Sequence, residues 1–243
     1  MIAIVNYDTG NICSVTNALK RVGCTDWVYT DDKEILMKAD KVLLPGVGEA
    51  STAMAKLAER GLDAFIPTLT QPVLGICVGT QLMCQSSEEG NVECMGIFRT
   101  KVKKFLGQQP KLRLSESKDC LQALPSIATS TKLTDNGQQS SVNTPDGSLS
   151  ILNSQFSILK VPHMGWNQIA NLRTPLFKGI DEGAYIYYVH SFYPELCEDT
   201  IATTQYINAF SGALGRDNFF GTQFHPEKSG AVGAQIIKNF LEL

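Results

Sequence analysis

Three short stretches of this chain carry residue types suited to acyl chemistry. The first is Gly75-Ile76-Cys77-Val78-Gly79, a cysteine between two glycines. It closes the apolar run Val73–Ile76 and precedes Gln81-Leu82-Met83, where a helical pattern begins. A nucleophile on a tight strand-to-helix turn needs small flanking residues, because larger ones collide with the adjoining elements. Such a turn lifts the sulfur above the sheet edge to a helix N-terminus, where the dipole favours a negative sulfur. Taken alone, Cys77 fits a buried structural cysteine equally well. The second stretch, His225-Pro226-Glu227, supplies an imidazole to handle the proton and a carboxylate to hold its tautomer. Pro226 stiffens the backbone between them. Together these read as a catalytic triad, Cys77, His225 and Glu227. The third stretch, Gly46-Val47-Gly48, lets backbone approach a reacting carbonyl and turn an N–H toward a developing oxyanion. The N–H of Val78, next after the nucleophile, is the expected first donor.

The surrounding elements must bring these stretches together. Ile2–Val5 reads as a buried strand ending at the polar turn Asn6-Tyr7-Asp8-Thr9-Gly10-Asn11. Val15, Ala18, Leu19 and Val22 predict a helix over 14–22, closed by Gly23. Trp27-Val28-Tyr29 is a second strand, and Asp31 or Asp32 caps a helix carrying Ile35, Leu36 and Ala39. Lys41–Leu44 is a third strand, running straight into Pro45-Gly46-Val47-Gly48. Helical patterns follow over 50–60 and, briefly, over 62–66 before Pro67; the Cys77 strand comes next. Strands alternating with helices imply βαβ units, hence an α/β fold with a parallel sheet covered on both faces. Ligands bind such sheets at the carboxyl ends of the strands. The polar turn after Val5, the Pro45 turn and Cys77 all fall on that edge.

From about 106 to 157 the periodicity is lost, and the stretch is rich in Ser, Thr, Asn and Gln. It can bury little and is expected to be a mobile surface insertion, the alternative being a small hairpin with weak strands at 149–152 and 156–159. Order returns at Val161-Pro162-His163-Met164-Gly165-Trp166-Asn167. Strands are expected at 185–189, 201–206 and 219–224, the last ending at His225. A final helix over 231–243 presents Ile236, Ile237, Phe240 and Leu241. With no repeat or linker, one domain over 1–243 is the simplest account.

The 243 residues are 43% hydrophobic and 19% charged, enough to build a well-packed core. A net charge of −3 and a pI near 5.7 supply no basic field for nucleic acid or an anionic membrane. No apolar run nears the roughly 18 residues of a membrane span, and the N-terminus lacks the basic start of a signal peptide. Seven scattered cysteines without a C-x-x-C pair argue against a zinc site or a disulfide framework, and for a reducing, cytoplasmic setting. Neither a metal nor a cofactor is expected.

G-I-C-V-G-T-Q, P-G-V-G and H-P-E-K-S-G together resemble the class I (triad) glutamine amidotransferases. N-Y-D-T-G-N, V-P-H-M-G-W-N and Y-Y-V-H-S-F-Y are similar, within that family, to the glutaminase subunits of imidazole glycerol phosphate synthases. The match spans about 1–105 and 158–243. The resemblance implies a three-layer, doubly wound, flavodoxin-like α/β fold with a mostly parallel sheet. It implies that Cys77 attacks the amide of L-glutamine, that His225 and Glu227 manage the proton, and that a glutamyl thioester is hydrolysed to glutamate. Gln81 matches the position that binds the substrate; His190, Ser191 and Phe192 match the segment whose backbone holds its amino-acid end. The resemblance also implies that ammonia passes to a (β/α)8 cyclase subunit in a heterodimer. There it converts a phosphoribulosyl-formimino aminoimidazole carboxamide nucleotide (PRFAR) to imidazole glycerol phosphate and AICAR, in histidine biosynthesis. His163, Met164, Trp166, Asn167 and Lys228 match positions of the interface around that passage.

The chain departs from the family in its polar insertion and in Phe192, where a tyrosine is common. Rival readings are an amidotransferase feeding a sugar-modifying synthase for surface polysaccharide, a non-catalytic partner-binding subunit, and a cysteine peptidase or γ-glutamyl hydrolase. An intact triad speaks against the second.

Overall fold

Four short apolar segments become neighbouring parallel strands: β1 (Ile2–Val5), β2 (Trp27–Thr30), β3 (Lys41–Leu44) and β4 (Val73–Ile76). Every residue of β1 and β4 is buried, as a strand covered on both faces requires. In this computed structural model residues 1–8, 11–106 and 159–243 are described. The insertion expected at about 106–157, and the hairpin considered for it, fall outside the described residues save at Leu106 and Leu159.

Helices α1 (Ile12–Arg21), α2 (Lys33–Lys38), α3 (Ala50–Glu59) and α4 (Val78–Leu82) follow the four strands in turn. α1 starts two residues before the expected position because Asn11 caps it, its side chain accepting from the Ser14 N–H at 3.2 Å. Asp32 rather than Asp31 caps α2, accepting from the Glu34 and Ile35 N–H groups. The helix expected over 62–66 is instead a turn leading into a 3-10 segment, Ile66–Thr68. Gly61 and Pro67 leave too few residues between them to nucleate a helix, and the spacing of Leu62 and Ile66 reflects burial of both in one turn.

After α4 come β5 (Ser86–Ser87), β6 (Val92–Glu93), β7 (Lys101–Lys104), β8 (His163–Gln168), β9 (Tyr185–His190) and β10 (Phe192–Pro194). The chain ends with β11 (Thr200–Gln205), β12 (Ala209–Arg216), β13 (Phe219–Thr222) and α5 (Gly230–Glu242). The main sheet has the order β11-β12-β13-β4-β3-β1-β2, parallel from β13 to β2 and antiparallel at the β11-β12 edge. β10-β7-β5-β6 form a smaller sheet, and β8 and β9 pair as an antiparallel ribbon.

The path β1 to β2 steps one way across the sheet, while β2 to β3 and β3 to β4 step the other. Right-handed crossovers therefore put α1 on one face and α2 and α3 on the opposite one. α5 packs beside α1 and α4 beside α3, which completes the three layers. Asn6, Pro45, Cys77 and Gln223 follow parallel strands and so share one edge of the sheet. β12, the strand bonded to β13, carries no strand signal because Gly212 and Gly215 interrupt it. Gly212 is there for packing: a β-carbon would lie 2.9 Å from Thr204 Oγ1 and 3.0 Å from Tyr188 Oη.

Candidate active site

Cys77 joins β4 to α4 with φ 52° and ψ −111°, a conformation costly for a residue with a side chain. Its surroundings enforce it. The Cys77 N–H donates to the Thr222 carbonyl at 2.7 Å, and Thr80 Oγ1 donates to the same carbonyl at 2.9 Å. Both bonds stitch the turn to the end of β13. The expected absence of side chains on the flanks is a hard requirement. A β-carbon on Gly79 would sit 1.9 Å from the Leu44 carbonyl oxygen, and one on Gly46 would sit 2.0 Å from the Gly79 nitrogen. The start of α4 and the Pro45-Gly46-Val47-Gly48 turn are therefore in backbone contact. Tyr7, fully buried, donates its hydroxyl proton to the Pro45 carbonyl and ties that turn back to β1. As the first residues of α4, Val78 and Gly79 have no helical carbonyl behind them for their N–H groups.

A cavity of about 310 Å³ opens over this junction. Its wall contains Gly46, Val47, Gly48, Cys77, Val78, Gln81, His190, Ser191, Phe192 and His225, the catalytic and substrate-binding residues expected from the sequence apart from Glu227. Glu227 stands behind His225, accepting from Nδ1 through Oε1 at 2.7 Å, with both side chains buried. Nε2 is therefore the ring nitrogen left for Cys77, and it makes no aligned hydrogen bond. Burial by itself pushes the imidazole pKa down. The nearby Cys77 sulfur and the Glu227 carboxylate bonded to Nδ1 overcome this through their negative charge, and the pKa is raised to about 10. A positive imidazolium between a sulfur and a carboxylate is an arrangement that can deliver a proton to a leaving group.

Two residues of the site carried no expectation. Gln223 is fully buried, and its Nε2 lies 3.7 Å from the Cys77 sulfur. Glu89 lines the cavity, its pKa raised chiefly by burial, while its carboxylate accepts from the Ala50 N–H at 3.0 Å. Gln223 lies two residues before His225, so proximity to H-P-E was its only signal. Glu89 had none, because the loop that carries it lacks periodicity.

The model of the class-I glutamine amidotransferase family matches residues 3–243. The chain belongs to the class-I glutamine amidotransferases. Among them it is 47% identical, over 242 residues, to the imidazole glycerol phosphate synthase subunit HisH of Bacteroides fragilis (strain YCH46), covering 100% of this chain and 99% of that protein. The HisH subunit of Pectobacterium atrosepticum is 43% identical over 99% of each chain. Solved structures share the fold. A crystal structure of a glutamine amidotransferase has a TM-score of 0.59 at 14% identity, covering 100% of this chain and 98% of that one. PurLQS from Thermotoga maritima has a TM-score of 0.55 at 16% identity, covering 99% and 97%.

In this amidotransferase the four expected interface residues on β8 divide between the two faces of the β8-β9 ribbon. Met164 and Trp166 point outward, 66% and 56% exposed, and Trp166 meets Tyr187 edge-on across the pair at 6.0 Å between ring centroids. With Tyr185 they form an exposed apolar face. Lys228 lines the cavity. His163 differs: it is buried, stacked between Tyr206 and Tyr188, with Nδ1 3.0 Å from His190 Nε2. Strand alternation places it on the face opposite Met164. Asn167 shares that inner face and donates through Nδ2 to the Gln205 carbonyl at 2.9 Å. Burial lowers the pKa of His163 to about 4 and that of His190 to about 3, so both are neutral near pH 7.

Proposed function

We propose that this protein is the glutaminase subunit of an imidazole glycerol phosphate synthase, with the triad Cys77, His225 and Glu227 hydrolysing L-glutamine. The observation that carries the reading is that Cys77 and His225 line one cavity, with Glu227 paired to His225 behind its wall. The Cys77 thiolate attacks the side-chain carbonyl carbon of glutamine. Negative charge on the carbonyl oxygen is met by the Val78 N–H and by the backbone of Gly46-Val47-Gly48. His225 gives its proton to the nitrogen, ammonia leaves, and a thioester remains. Water then attacks the thioester while His225 accepts a proton, and glutamate departs as the sulfur is restored. Glu227 keeps the imidazole in the tautomer that faces the sulfur.

The amino-acid end of glutamine is held by the backbone of Ser191 and Phe192, while its ammonium is drawn to acceptors in the same wall. Gln81 Oε1 is buried without a partner, and the Glu89 carboxylate lines the cavity. Ammonia passes to a (β/α)8 cyclase subunit that docks on Met164, Trp166 and Lys228, and PRFAR is converted there. The protein acts in the cytosol as a single domain, in keeping with six free cysteines among the described residues. No helix among the described residues is long and apolar enough to cross a membrane.

The test is glutamate release from the purified chain, alone and mixed with the cyclase and its nucleotide. Turnover is expected to rise on mixing; strong, partner-independent turnover would argue against the synthase assignment. Cys77→Ala should abolish glutamine use and spare cyclisation driven by added ammonia.

A further inference from the structure

The orientation of the two carboxamides beneath Cys77 is dictated by a backbone carbonyl. Phe192 C=O accepts from His190 Nδ1–H at 2.7 Å and from Gln81 Nε2–H at 3.1 Å. A carbonyl can only accept, so both neighbours must turn an N–H toward it. Gln81 then has one N–H left, which it donates to Gln223 Oε1 at 2.9 Å. With its oxygen engaged, Gln223 presents its NH2 group to the Cys77 sulfur at 3.7 Å. The other branch is as tightly specified. A neutral His190 carrying its proton on Nδ1 has a lone pair on Nε2, which accepts from His163 Nδ1–H at 3.0 Å. His163 Nε2 in turn accepts from Asn167 Nδ2–H at 3.3 Å. The Phe192 carbonyl is thus steadied from both sides, and no member of the chain can reverse without placing two acceptors or two donors face to face.

We propose that Gln223 is a further catalytic residue: its carboxamide N–H donates to the Cys77 sulfur and stabilises the thiolate, and the Gln81–Phe192 link keeps the donor end toward the sulfur. The proposal rests on Cys77 being the nucleophile of the site described above. Gln223 is fully buried, so no water competes for its N–H, and a donor to a charged acceptor is worth more there than in solvent.

Alkylation of Cys77 by iodoacetamide, followed by mass spectrometry across a pH series, tests this without glutamine. A failure of the glutaminase reading therefore does not disturb the result. Two variants of the full chain are used. Gln223→Met keeps length and volume but has no donor, and Gln223→Glu keeps the shape but turns an acceptor to the sulfur. The expected result is a reactivity midpoint raised by about one pH unit or more in Q223M, and further in Q223E. His225, His190, Glu89 and Lys228 line the same cavity and are common to all three proteins, so the difference between profiles reports the substitution. Turnover of glutamine should fall about tenfold or more, mainly in kcat. Unchanged midpoints in the variants would overturn the proposal even if turnover fell, since that pattern belongs to packing alone. The unmutated chain provides a check that needs no variant to fold. The Gln223 side-chain NH2 resonances should shift when Cys77 is alkylated, and resonances that stay in place would reject the contact.

Discussion

At the scale of residues, the chemistry depends on a proton held where burial alone would expel it. His225 keeps its pKa near 10 only because Cys77 and Glu227 act on it together. Cys77→Ala removes the sulfur's share, so the His225 titration followed by NMR should move down from about 10. A midpoint that does not move would mean that the imidazole and the sulfur do not interact. Glu227→Gln keeps the shape of the side chain but removes the charge that holds the imidazolium. Glutamine turnover should fall by about a hundredfold or more, within the range of a lost acid–base contribution, while the denaturation midpoint changes far less. His225 and Glu227 were legible because they are adjacent in the chain. Gln223 was not, because its meaning comes from Gln81, 142 residues away.

At the scale of elements, the site depends on two backbone segments in contact, the start of α4 and the turn after β3. Gly79→Ala puts a methyl group onto the Leu44 carbonyl, an atom of a central strand that cannot retreat. The substitution should destabilise the fold by about 3 kcal/mol in urea denaturation, and it should cost turnover even where the protein remains folded. The β8-β9 ribbon behaves differently, because its outer residues leave the core untouched. Trp166→Ala should leave the urea midpoint nearly unchanged and, if the proposed cyclase subunit docks on this face, weaken its binding by about 2 kcal/mol in a calorimetric titration. Equal affinity would remove Trp166 from the docking face. Met164 and Trp166 could be placed outward from strand alternation, but only once β8 was known to be a strand paired with β9.

At the scale of the whole molecule, the three histidines divide its pH dependence between them. His225 has a folded pKa above the unfolded value of about 6.5, so its contribution to stability is complete below that pH and is lost as pH rises toward about 10. His163 and His190 have folded values of about 4 and about 3, so the unfolded chain takes up protons that the folded one refuses as pH falls below about 6.5. Urea unfolding between pH 5 and 8.5 should therefore show a stability maximum near pH 6.5. The alkaline slope should be well below about 1.4 kcal/mol per pH unit, because the proton His225 keeps is offset by the one the Cys77 thiol gives up in forming the pair, and the acid side steeper because two sites contribute. Stability that keeps rising to pH 8.5 would contradict the state assigned to His225.

The chain by itself determined the parallel strands, the sharp turn at Cys77 and the H-P-E pair, because each depends on neighbours a few residues apart. Periodicity, small residues at a tight turn and a rigid dipeptide are local properties. Tertiary structure decided what is collective. β12 is a strand because β11 and β13 flank it, despite its glycines. His163 is neutral and buried because Tyr188 and Tyr206 enclose it. Gln223 faces the Cys77 sulfur because a carbonyl on β10 and a carboxamide on α4 leave its N–H nowhere else to point. Burial and hydrogen-bond direction are set by atoms distant in sequence, and they exist only once those atoms have met.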